Sequence, residues 1–155
     1  MEGSGAEEFT AFVREAEPQL RRALLASCGV ELAHDALAEG MAYAWEHWDR
    51  VGRMTNPAGY VYRVARSRAR PRRSPIVFPD PVGDTAPMVE PGLAKALGSL
   101  PERQRVVVAL VHGFGWTHAE VSTVLGVSIS TVRNHLARGM TRLRHELEVE
   151  SDERS

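Results

Sequence analysis

Only one cysteine, Cys28, stands in the whole chain. A lone thiol excludes an internal disulfide and every multi-cysteine zinc site, and it is expected in or near the core as a small apolar residue. Lysine is equally scarce: Lys95 is the only one, so the cationic side chains are nearly all guanidinium groups. No apolar run is long enough to cross a bilayer, and no signal peptide is recognisable, so a cytoplasmic protein is expected. Catalytic patterns are missing too. The six histidines form no HExxH pair, and His118 and Glu120, two apart, do not converge on one helix face. There is no Gly-rich phosphate loop and no nucleophile elbow. The sequence therefore offers no catalytic residue, metal site or cofactor, and the chain is not expected to be an enzyme.

What is present is enough for a core. Apolar residues make up 43% of 155 positions, room for one domain or two small ones. The formal net charge of -1 by itself argues against a nucleic-acid binder. The distribution of charge along the chain points the other way. Acids outnumber bases from Met1 to Arg50, and Glu146 to Glu153 is acidic again. Between them, Arg53, Arg63, Arg66, Arg68, Arg70, Arg72 and Arg73 stand in a stretch with no acid at all. Local sign, not the total, decides what approaches a face.

Hydrophobic periodicity makes the N-terminal third helical. Phe9, Phe12, Val13, Ala16, Leu20 and Leu24 predict a helix from about Ala6 to Ser27, with Pro18 kinking or splitting it and Gly29 ending it. A second helix is expected from about Glu31 to Arg50. Leu32, Leu37, Met41, Ala44, Trp45 and Trp48 lie mostly on one side of it, which places Trp45 in the core, and Gly52 is its stop. Asn56-Pro57 starts a third helix, with Asn as N-cap and Pro in the first position. That helix is expected to turn Tyr60, Val61, Val64 and Ala65 inward and its arginines outward, and to end at Pro71.

Ser74 to Gly92 holds Pro75, Pro79, Pro81, Pro87 and Pro91, with Asp80, Asp84 and Glu90 and no basic residue. No regular element survives that proline density, so an extended linker is expected. It would leave the flanking halves to move independently, or to pack together and hide their binding faces. After it comes a short helix near Leu93 to Leu97. Another helix begins at Leu100-Pro101, where Ser99 and Glu102 have capping-box spacing. Val106, Val107, Leu110 and Val111 form its buried side. Gly113 and Gly115 break it, with Phe114 and Trp116 plugging the joint.

The stretch THAEVSTVLGVSISTVRNHLARGM, from Thr117 to Met140, then reads as two helices around a tight turn. Thr117 and Glu120 form a capping box, and Gly126 supplies the left-handed turn. Ser128 or Ser130 caps the second helix. Val132, Leu136, Met140, Leu143 and Leu147 face its core. The opposite face carries Ser130, Arg133, Asn134, Ala137, Arg138 and Thr141, with no carboxylate among them. Such a face suits the major groove: Arg pairs with guanine edges, Asn with adenine, and Ser or Thr with phosphate.

These residues carry a resemblance. LPERQRVVVALVHGFGWTHAEVSTVLGVSISTVRNHLARGMTRLRHEL resembles region four of bacterial sigma factors, which reads the -35 promoter element. EFTAFVREAEPQLRRALLASCGVELAHDALAEGMAYAWEHWDRV resembles region two, and NPAGYVYRVARSRARPRR resembles the end of that region. The layout is similar to that of the sigma-70-type extracytoplasmic-function (ECF) sigma factors. The resemblance implies an all-α chain: a region-two-like domain over 6–73, a linker over 74–92, a region-four-like helix-turn-helix domain over 93–147 and an acidic tail over 148–155. It implies that Ser128, Ser130, Thr131, Arg133, Asn134, Arg138 and Arg142 meet the -35 element. It also implies that Arg53, Met54, Thr55, Asn56, Tyr60, Arg63, Arg66 and Arg70 serve the -10 region. The loop from Val51 to Asn56 would capture a flipped base, and Asp35, Leu37 and Glu39 would dock on polymerase. The implied partners are promoter DNA and core RNA polymerase, at its β′ clamp helices and β flap. An anti-sigma factor is a further partner such a chain could have; a membrane is not. The alternative is a stand-alone helix-turn-helix regulator of the LuxR type, which would keep the C-terminal helix pair but needs no polymerase-facing surface.

Overall fold

The computed structural model describes residues 2–69 and 92–154, and every regular element among them is helical. Almost all of the 74–92 linker therefore lies outside the described residues, as does Arg70. The N-terminal half contains α1 (Glu2–Cys28), α2 (Val30–Glu46), α3 (Trp48–Val51) and α4 (Pro57–Arg68). The C-terminal half contains α5 (Leu93–Ser99), α6 (Glu102–Val108), a π-helical turn (Ala109–Gly113), α7 (His118–Leu125) and α8 (Ile129–Arg154).

Pro18 does not split α1, which is one helix of 27 residues. A proline deprives the carbonyl four residues earlier of its donor. Here that residue is Arg14, which is exposed, so water can satisfy it. Ala16, Leu20, Ala23 and Leu24 line the buried side. The expected 31–50 helix is instead interrupted at His47, whose backbone leaves the helical range at φ -118°. The His47 ring stacks on Tyr43 at 4.1 Å, and its Nδ1 donates to the Tyr43 carbonyl at 2.9 Å. Trp45 is not a core residue: it is 52% exposed, with one face against Phe9. Phe9, Phe12 and Trp48 already fill the space inside that corner.

In α4 the predicted cap forms, with Asn56 Oδ1 accepting from the Gly59 amide at 3.0 Å. The buried residues are Gly59, Val61, Tyr62 and Ala65, so Tyr62 takes the interior place expected for Tyr60 and Val64, which are only half-buried. Burial pushes the Tyr62 phenol up to about 12. At α6 the expected capping box is absent. The Ser99 hydroxyl donates backward to the Ala96 carbonyl at 2.7 Å, while the Glu102 carboxylate pairs with Arg66 from the other half. Trp116 is buried as expected, but Phe114 is 45% exposed beneath the Arg22 guanidinium. Helix α8 continues through the acidic stretch to Arg154.

The two halves share one hydrophobic core. Leu20, Leu24, Val51, Val61 and Ala65 belong to the same buried cluster as Val106, Val107, Leu110, Val121, Val124 and Val132. A smaller cluster of Ala96, Leu100, Val108 and Leu143 ties α5 and α6 to the middle of α8. Of the two arrangements the linker allows, the structure has the halves packed together.

Candidate nucleic-acid interface

The helix-turn-helix is set by local bonds. Thr117 Oγ1 accepts from the Glu120 amide at 3.1 Å, and Glu120 Oε1 accepts from the Thr117 amide at 3.5 Å and its hydroxyl at 3.0 Å. Gly126 has φ 68°, a left-handed turn that a side chain would strain. Ser122 closes the turn by donating to the Val127 carbonyl at 2.6 Å. Ser128, rather than Ser130, caps α8: its Oγ accepts from the Thr131 amide at 3.1 Å. Val132 is fully buried and Leu143 nearly so, which fixes the rotation of α8 about its axis.

That rotation exposes Ser130, Arg133, Asn134, Arg138 and Arg142. At the helical rise this face is about 18 Å long. It carries arginines and no acidic residue, so its formal charge is positive. Ser128 and Thr131 share a hydrogen bond at 2.8 Å, and the Ser128 hydroxyl is committed to the cap.

In the N-terminal half, Asp35 and Glu39 are exposed one turn apart on α2, whereas Leu37 is buried in the core. Leu37 can thus support the docking face but not form it. Arg53 and Thr55 are exposed in the loop before α4, with Met54 half-buried. Tyr60 lies in a cluster not visible in the sequence. Its hydroxyl is 3.4 Å from that of Tyr43, and Arg50 donates to Tyr43 at 2.7 Å and to Tyr60 at 3.5 Å. The Arg68 guanidinium sits over the Tyr43 ring at 5.4 Å. The bond with Tyr43, aided by Arg50, holds the Tyr60 phenol below its ordinary value. Rings flanked by guanidinium groups make a stacking platform for unpaired bases.

Comparison with known proteins fits this geometry. The family profile "Sigma-70, region 4" matches residues 92–143. The ECF RNA polymerase sigma factor SigM of Mycobacterium tuberculosis is 31% identical over 147 residues, spanning 87% of this chain and 74% of SigM. The chain belongs to the ECF RNA polymerase sigma factors. Another member, SigL of the same organism, is 27% identical over 128 residues, 72% of each chain. The fold is shared with the sigma factor RpoE of Bartonella quintana, solved in complex with the anti-sigma factor NepR. That likeness has a TM-score of 0.63 at 20% identity and covers 92% of this chain and 98% of that one. The match runs over most of the length of each of these relatives, and nothing in them supports the stand-alone LuxR-type alternative.

In this sigma factor, part of the candidate -10 surface faces the other half. Asn56, Gly59, Arg63 and Arg66 recur at three- and four-residue spacing, one stripe along α4. Asn56 Nδ2 donates to the Thr123 carbonyl on α7. A Cβ on Gly59 would lie 2.9 Å from the same carbonyl oxygen, so only glycine permits this approach. Arg63 is exposed, but its guanidinium lies against Gly126. Arg66, expected to point outward, instead forms a two-pronged bond with Glu102. Both partners of that pair are about a third exposed, so the pair contributes at most about 1 kcal/mol. Arg105 is buried at 5% exposure and donates to carbonyls of Ala26, Ser27 and Leu100 at 2.8, 2.8 and 3.0 Å.

Proposed function

We propose that this sigma factor reads the -35 element with α8, through Arg133 and Asn134 on base edges and Ser130, Arg138 and Arg142 on phosphate. Ser128 and Thr131 hold the start of that helix against the backbone of the duplex. The observation that carries the reading is the exposed, acid-free face of α8, rotated outward by buried Val132 and Leu143. Residues 6–73 act as region two and 93–147 as region four. Asp35 and Glu39 dock on the β′ clamp helices over the buried Leu37, and the C-terminal half meets the β flap. Arg53, Met54, Thr55 and Asn56 capture a base of the -10 element. Tyr60, with Tyr43 beside it, stacks on the unpaired strand, and Arg63, Arg66 and Arg70 neutralise its backbone. The place of action is the cytoplasm, and an anti-sigma factor is a further partner of such a chain.

Asn56 and Arg66 are engaged by the C-terminal half in the packed arrangement, so engaging both promoter elements requires the halves to part. The test is reconstitution with core polymerase on a promoter library. Run-off transcripts that appear only with the added chain, from templates sharing two spaced elements, are expected. Core binding without promoter-dependent transcripts would overturn the reading.

A further inference from the structure

A cleft of about 600 Å³ lies in the seam between the halves. Tyr62, Arg63 and Arg66 of α4 form one wall, and Arg103 of α6 and His135 of α8 stand on the other. Val106, Val107, Leu125 and Val127 supply apolar lining. The volume is within the range of small-molecule sites. The chemistry of the rim is one-sided. Glu102 is the sole carboxylate lining the cleft, and it is occupied by Arg66. Arg63 and Arg103 have no ion-pair partner among the described residues. His135 Nε2 is out of contact with solvent and has no hydrogen-bond partner among the described residues, although the ring as a whole is half-buried.

We propose that this cleft binds a phosphorylated small molecule of nucleotide size. Its phosphates lie between Arg63 and Arg103, with the His135 ring as part of the wall beside them, and a flat apolar portion rests on the valine and leucine lining. Planar guanidinium groups are well matched to phosphate oxygens.

The position of the cleft gives the ligand a consequence. Its walls come from both halves, so it exists only while they are packed together. A ligand that fills it binds the packed form alone and, by mass action, opposes separation. It would therefore act as a brake on promoter engagement, an effect that rests on the proposed sigma function, whereas binding itself does not.

Arg103 and His135 belong to neither the promoter-reading nor the polymerase-facing set, which makes them suitable probes. The full chain would be titrated calorimetrically with ATP and, separately, with inorganic pyrophosphate. A dissociation constant at or below about 100 μM for at least one of them is expected. Arg103→Ala, which removes a guanidinium, and His135→Ala, which removes the ring from the cleft wall, should each weaken binding by about tenfold, while Arg133→Ala on the open face of α8 should not. Hydrogen exchange at the α4–α7 seam should slow when ligand is added. Binding by ATP alone would mean that the apolar lining is essential; binding by both would mean that the phosphates suffice. No heat from either probe at millimolar concentration would overturn the site, as would binding unchanged in both cleft variants. Run-off transcription without ligand tests the sigma reading separately, so failure of one is not failure of the other.

Discussion

Arg105 Nε donates to the carbonyl of Ala26, 79 residues earlier in the chain, at 2.8 Å. Ala26 and Ser27 stand in the last turn of α1, where carbonyls have no partner within the helix. A guanidinium placed there satisfies two of them and complements the negative end of the helix dipole. Burial lowers the pKa of Arg105, but an arginine remains charged at any working pH. This one side chain joins the halves at a point where both are buried.

Removing it should therefore leave buried carbonyls without donors. Arg105→Ala should lower unfolding free energy by about 3 kcal/mol, read from urea denaturation followed by circular dichroism. An unchanged urea midpoint would mean that water replaces the guanidinium at no cost.

On α8, the two kinds of contact should separate. Arg133→Ala or Asn134→Ala should cost about 1–3 kcal/mol on a selected duplex and relax preference at one or two positions. Arg138→Ala and Arg142→Ala should weaken all sequences alike and reduce the salt slope by about 1 each. Selection from a random duplex library followed by titration distinguishes the two. Retention of both affinity and preference in Arg133→Ala would rule out base reading by that residue.

Asp35 and Glu39 are exposed, and exposed charges contribute little to stability. Reversing both to Arg should abolish core polymerase binding in a pull-down while helicity and melting temperature stay close to the parent's. Undiminished binding by the double variant would place the docking face elsewhere.

The capping box at Thr117 gives a local prediction. Thr117→Ala should destabilise by about 1 kcal/mol, and Thr117→Ser should recover most of it. Thermal melts of the three proteins compare these directly. Equal losses in Ala and Ser would show that the methyl group, not the hydroxyl, matters.

His135 supplies a pH dependence. Burial first, then Arg103 and Arg138, holds it below its ordinary value of 6.5. The unfolded chain accepts a proton that the folded chain refuses, so stability falls as pH drops below 6.5 and levels off once folded His135 is also protonated. Urea midpoints measured from about pH 7.5 down to about pH 5 should show this slope. His135→Gln should flatten it; a variant with the parent's slope would assign the titration to another group.

The elements legible in the sequence are those governed by near neighbours. The Thr117 and Glu120 cap, the Gly126 turn and the apolar stripe of α8 each depend on residues three or four positions apart. Those short-range rules determined that the protein is helical and carries a helix-turn-helix. They also determined that Arg133, Asn134 and Arg138 face outward, because Val132 and Leu143 must face in. The linker's content of proline was equally readable, although its structure falls outside the described residues.

Where the chain folds back on itself, local rules lost. Ser99 and Glu102 have the spacing of a cap, yet Glu102 pairs with Arg66, 36 residues away, and a charged partner outcompetes a neutral amide. Trp45 follows the core periodicity of α2, but the corner beneath it was already filled by Phe9, Phe12 and Trp48. Leu37 fitted both the core stripe and the docking set, and burial assigned it to the core. The Tyr43–Tyr60 cluster, the Arg105 bonds and the cleft beside His135 all join residues distant in sequence. A hydrophobic period says which way a side chain points, but not what it meets. That is settled only when two helix faces, each individually legible, are brought into one packed seam.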